Sequence, residues 1–169
     1  MSMMAFGYWL HKTTISLALQ SQTQWLWPLC ETVHFLGLTL LLGVTGYFDL
    51  RLLGFWKKVP VAVVKEFMPW AVVGFALCAL TGVIFFVSEP PTYLPNPAWW
   101  PKVACLVIAG LNAGVFETVF AGRIASMKPD ADTPVAFKVI AVVSLCAWLG
   151  VLVFGRMLGF VATSTSSDV

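Results

Sequence analysis

Four long apolar runs separated by short polar connections dominate the chain: about Trp25 to Phe48, Met68 to Val87, Trp99 to Ala121 and Val135 to Phe160. Each is close to the roughly 20 residues that a helix needs to cross a bilayer core. Pro28, Pro69, Pro101 and Pro134 fall near the beginnings of these runs, where a helix tolerates proline, and none interrupts a run. The pattern predicts an all-α fold, an integral membrane four-helix up-down bundle over residues 23–161. Residues 1–22 differ: Phe6, Trp9, Leu10 and Leu17 alternate with Lys12, Thr13, Thr14 and Gln20. That mixture predicts an N-terminal amphipathic helix lying in the membrane interface, with His11 as an interfacial polar residue. It lacks the cationic start and cleavage site of a signal peptide. Residues 162–169 are polar and predict a flexible C-terminal tail.

Composition agrees with a membrane protein, with 59% hydrophobic and 11% charged residues against about a quarter charged in soluble domains. A net charge of +2 without a dense basic cluster excludes a nucleic-acid partner. Cys30, Cys78, Cys105 and Cys146 all lie in apolar runs without CxxC or CxxCH spacing, which argues against structural zinc, a thioredoxin-like motif and covalently attached haem. They read as small hydrophobes. Nucleophilic triads, phosphate-binding glycine loops and HExxH motifs are absent, so no standard hydrolase is supported.

Small residues at four-residue spacing mark expected close packing: Gly74, Cys78 and Gly82 on the second span, Gly110 and Gly114 on the third, Gly155 and Gly159 on the fourth. Lysine and arginine set the expected orientation. The first connection holds Arg51, Lys57, Lys58 and Lys65, and the third holds Arg123, Lys128 and Lys138. Both read as cytoplasmic, which puts the termini and the second connection outside. The second connection, Ser88 to Lys102, is rich in proline and carries Tyr93, Trp99 and Trp100, so it reads as an ordered outer cap.

The first span carries Glu31 and His34 one helical turn apart inside apolar sequence, and an intramembrane ionisable residue is costly enough to need a reason. Counting about 1.5 Å of rise per residue, Glu31, Lys102 and Arg156 share an outer layer, with His34 one turn deeper. One reading is structural: Glu31 pairs with Arg156 or Lys102, and His34 bonds to a Thr or Ser of a neighbouring helix. The other is a cofactor site, in which a neutral imidazole ligates haem iron and the two cations meet propionates. With one deep His, the second iron ligand is Met157, an open position, or His34 of a second subunit. A copper site drawing on His34, Cys30 and Met is a further possibility. Asn112, Glu117, Asp49, Arg51 and Arg123 form an inner set that reads as closing the bundle, Glu117 pairing with Arg51 or Arg123.

At His34-Phe-Leu-Gly37, Gly43 and Asp49-Leu-Arg51-Leu-Leu-Gly54 the chain resembles an uncharacterised bacterial family of small four-helix membrane proteins, with Pro101, Lys102, Leu111, Asn112 and Ala113 fitting the same pattern. The likeness runs from about Trp25 through the third span. More distantly the plan is similar to the HemJ-type protoporphyrinogen oxidases and the CopD-type copper-resistance membrane proteins. His34, Gly43, Arg51 and Lys102 occupy places comparable to the HemJ pattern. The aromatic and glycine residues that follow the HemJ histidine, and the histidine after its arginine, are not reproduced. The HemJ resemblance implies haem b, with His34 as axial ligand and Lys102 as a propionate or substrate partner. It does not carry over the oxidase activity.

The expectation from sequence is therefore a bacterial inner-membrane, multi-pass protein with both termini periplasmic. It would bind haem b through His34 (the metal-ligand candidate, with Lys102, Arg156 and Glu31 around the cofactor) for electron transfer or a membrane redox step. Its partners would be the lipid bilayer and a second copy or a redox subunit. The alternatives are a non-catalytic structural or accessory subunit, and a copper or small-solute permeation protein.

Overall fold

Helices in a bilayer have no hydrophobic drive to associate, so they pack where backbones come close. In this chain the closest approach joins Gly37 to Gly74. A methyl group on Gly74 would stand 2.6 Å from the Gly37 carbonyl oxygen and 2.7 Å from the Leu41 amide nitrogen, and one on Gly37 would meet the Cys78 sulfur at 2.9 Å. The computed structural model describes residues 3–124 and 133–165. Among them all regular structure is helical: α1 Met3–His11, α2 Thr14–Ser21, α3 Thr23–Leu53, α4 Val61–Lys65, α5 Met68–Ser88, α6 Pro90–Tyr93, α7 Trp99–Val115, a wide π turn Phe116–Phe120, α8 Ala121–Ile124 and α9 Val135–Thr165.

Four stretches are long and apolar enough to cross a membrane: Gln24–Leu53, Val61–Ser88, Trp99–Ile124 and Val135–Val161. They match the four predicted runs and extend them at several ends. Pro28 therefore sits within α3 rather than at its start. The spans form two antiparallel pairs, α3 with α5 and α7 with α9, joined through α3 and α9. Of the small-residue motifs, Gly74 and Cys78 do lie at a close crossing. Gly82, Gly110, Gly114 and Gly159 have open space where a side chain would begin. The α7–α9 contact is made instead at Gly150, whose missing methyl group would lie 2.6 Å from the Cys105 sulfur. Any of these glycines is compatible with a helix; which of them touches a neighbour depends on the partner's shape.

One end of the bundle is a cap. Its N-terminal part is two helices rather than one, broken at Lys12 and Thr13; Thr13 caps α2 by accepting from the Ser16 amide. The buried contacts are small and polar: Gly7 lies against Leu94, and the fully buried Ser16 donates to the Val87 carbonyl at 2.8 Å. His11 Nδ1 lies 3.2 Å from the Ser88 carbonyl, so the histidine ties α1 to the end of α5. Phe6, Trp9 and Leu17 stay exposed. The second connection is ordered, as expected: Asn96 Nδ2 donates to the Leu158 carbonyl at 3.1 Å, Trp100 Nε1 donates to the Leu94 carbonyl at 3.3 Å, and Phe86 stacks on Trp99 with centroids 5.2 Å apart.

The other end carries the basic connections. There Gly54, in the left-handed conformation at φ 106°, ends α3. The Arg51 guanidinium turns back to donate from Nε to the Val59 carbonyl and from Nη2 to the Lys57 carbonyl. Phe48, Phe116, Phe120 and Phe137 close this end in a chain of edge-to-face contacts at 5.0–6.3 Å. Residues 125–132 of the third connection, Lys128 included, lie outside the described residues, as do residues 166–169 of the predicted tail.

Candidate functional site

Thr81 is on α5, one turn beyond Cys78, and the Gly37–Gly74 crossing brings that face of α5 against His34. His34 Nδ1 and Thr81 Oγ1 are 2.7 Å apart. The Thr81 hydroxyl already donates to the Leu77 carbonyl, also at 2.7 Å. With its one proton committed there, it accepts from His34, which assigns the imidazole proton to Nδ1. Nε2 is left with its lone pair and no hydrogen bond among the described residues. The ring is half-buried and packs edge-on against Phe85 at 5.8 Å. The Cys78 thiol points at the His34 backbone carbonyl, 3.5 Å away.

Lys102 enters from α7 and lies close enough to His34 and Cys78 to interact with both electrostatically. Its stem passes Gly155 of α9 at the distance of an ordinary contact, and its ammonium stands 5.8 Å from the Trp99 ring. Glycine at 155 leaves room for that stem. The fold thus gathers His34, Thr81, Cys78 and Lys102 from three spans.

It does not gather the whole outer set. Glu31 is exposed, and its charge acts on Tyr93 of the cap. Among the described residues it forms no ion pair with Lys102 or Arg156. Arg156 is exposed and lies over the Phe160 ring at 5.0 Å. Met157 is exposed too. No group of three or more His, Cys, Asp or Glu side chains converges among the described residues. In the inner set, Glu117 meets Lys65 at 3.3 Å rather than the arginines the sequence suggested.

Outside the spans, burial first, and then the charges of Glu89 and Glu31, raise the Tyr93 phenol above its ordinary value. A raised pKa in the fold stabilises it below the unfolded phenol pKa of about 10, and that contribution is lost as pH rises further. Ultraviolet titration should show a tyrosinate emerging above the ordinary phenol value of about 10. Tyr93→Phe should remove that late step.

Residues 24–161 match the model of a family described as "Family of unknown function (DUF6644)". The chain belongs to that family. The match begins and ends with the four spans and includes His34, Thr81, Lys102 and Gly155. It leaves out α1 and α2. No curated protein matches, and no solved structure matches.

Proposed function

We propose that this family member is a bacterial inner-membrane protein that holds haem b through His34 and serves electron transfer or a membrane redox step. The observation that supports this is the His34–Thr81 bond. It fixes the ring through Nδ1 and leaves Nε2, a ligating atom, bare, which is how protein groups behind a metal-bound histidine orient it. Lys102 would be the cation that offsets a propionate, with Arg156 as a second cation nearer the cap. A bound haem supplies a one-electron couple; the chain's part is to hold the iron, balance the charge and exclude water. The basic connections would face the cytoplasm. The distant HemJ likeness points to the same cofactor.

The competing reading, a structural accessory subunit, draws on the same bond, because Thr81 also satisfies a costly intramembrane polar group. An absorption spectrum separates them. Protein purified from cells supplied with haem should show a Soret band that His34→Ala abolishes. Thr81→Val should keep the band and weaken haem retention about 10–100-fold, the usual loss when a group supporting a ligand is removed. A colourless wild-type protein would refute the proposal.

A further inference from the structure

The second and third spans make no extended contact among the described residues. Between them a cleft of about 750 Å³ opens sideways, with α3 and α9 as its floor. That volume lies within the range of sites for small molecules, roughly 300–1,000 Å³. Its walls are apolar over most of their area, from Phe75 and Leu106 downward. At the floor, about one turn from the end of α3, sits Asp49.

Asp49 is 3% exposed, and its Oδ2 has no hydrogen-bond partner. A buried carboxylate oxygen left unsatisfied is costly enough to need an explanation. The neighbouring groups do not supply one. Ser144 lies against the carboxyl without reaching Oδ2. The Thr45 hydroxyl is committed to the Leu41 carbonyl at 2.7 Å, and Asn112 Nδ2 donates to the Ile140 carbonyl at 3.1 Å. At the rim Lys65 is engaged with Glu117. What the floor presents is an acceptor, Asp49 Oδ2, that no donor reaches among the described residues.

We propose that this lateral cleft is a binding site for a membrane-soluble ligand whose head donates a hydrogen bond to Asp49 while its apolar body lies along the cleft toward the bilayer centre. From Asp49 to Leu41 is eight residues, about 12 Å of helix. That length takes a head group and the first part of a chain, and the open side lets the rest run into lipid. The head is a hydroxyl or an amine; both donate, and both suit a carboxylate. The site is separate from His34, which does not line the cleft, so the haem reading and this one stand or fall independently.

The test uses the purified chain in phosphatidylcholine nanodiscs and two matched pairs of probes. Nonylphenol is compared with its methyl ether, nonylanisole, which cannot donate; dodecylamine is compared with dodecyltrimethylammonium, which cannot donate either. One donor probe should be retained saturably, about tenfold or more better than its donor-free partner, as expected for one charge-assisted bond. Which pair shows the difference identifies the head group. Asp49→Asn should remove that preference. Gly110→Phe, at a position on the cleft wall with open space beyond it, should block retention without lowering the melting temperature. The proposal is overturned if neither donor probe saturates, if each binds no better than its partner, or if Asp49→Asn changes nothing. It is equally overturned if Gly110→Phe alters only oligomer size, which would make the cleft a contact between copies.

Discussion

Arg51→Leu should be among the most damaging single substitutions in this protein, lowering stability by about 2–4 kcal/mol through lost charge-assisted bonds and stranded carbonyls. Arg51 is 1% exposed and heads the largest fully buried side chains. Its Nε and Nη2 reach the carbonyls of Val59 and Lys57 across the turn that follows Gly54. Through them the end of α3 holds the start of α4, whose Val61 and Val64 belong to the basic-end core with Phe48 and Leu52. Leucine would fill part of the space and leave both carbonyls without that donor. Lysine keeps the charge but lacks the planar fork, so Arg51→Lys should fall between the two. Unfolding in mixed micelles, followed by helix content, measures the difference. Equal midpoints for wild type and Arg51→Leu would mean that the connection is held by something else.

Gly74→Val should cost about as much for a different reason. Its new atoms would fall within 3 Å of main-chain atoms of α3, which no side-chain rotation can relieve. Overpacking of this kind costs typically about 1–3 kcal/mol, and more where backbone must move. The consequence reaches the site: the same crossing sets His34 against Thr81, so on the proposed haem-binding reading haem retention should fall along with stability. Gly82→Val, two turns along α5 with open space beyond it, is the control and should change neither. If Gly82→Val proved as harmful as Gly74→Val, the effect would come from helix propensity rather than from the crossing.

Much of the candidate site was visible before the fold. An imidazole inside an apolar run is conspicuous because burying it is expensive, and Lys102 was conspicuous for the same reason. The hydroxyl that holds His34 was not. Thr81 carries no charge, and a threonine in a membrane helix ordinarily bonds back to its own helix, as Thr39 and Thr45 do here. Glu31 and Arg156 looked like members of one layer with Lys102 because depth was counted along each helix. Depth says nothing about which way a helix is turned, and both proved to be on the outside. Asp49 was read as closing the bundle. It lines the gap where the bundle is not closed.

The sequence by itself determined the number of spans, their approximate limits and the ordered cap. Those follow from the length of apolar helix a bilayer requires and from proline and aromatic content, which are local properties. Only the tertiary structure decided the neighbour relations: α3 against α5 through Gly37 and Gly74, α7 against α9 through Gly150 and Cys105, and the cleft between α5 and α7. In lipid every face of a span is apolar, so hydrophobic periodicity does not distinguish a packed face from one exposed to chains. The distinction comes from the shapes of two surfaces at once, and one helix's sequence describes only one of them.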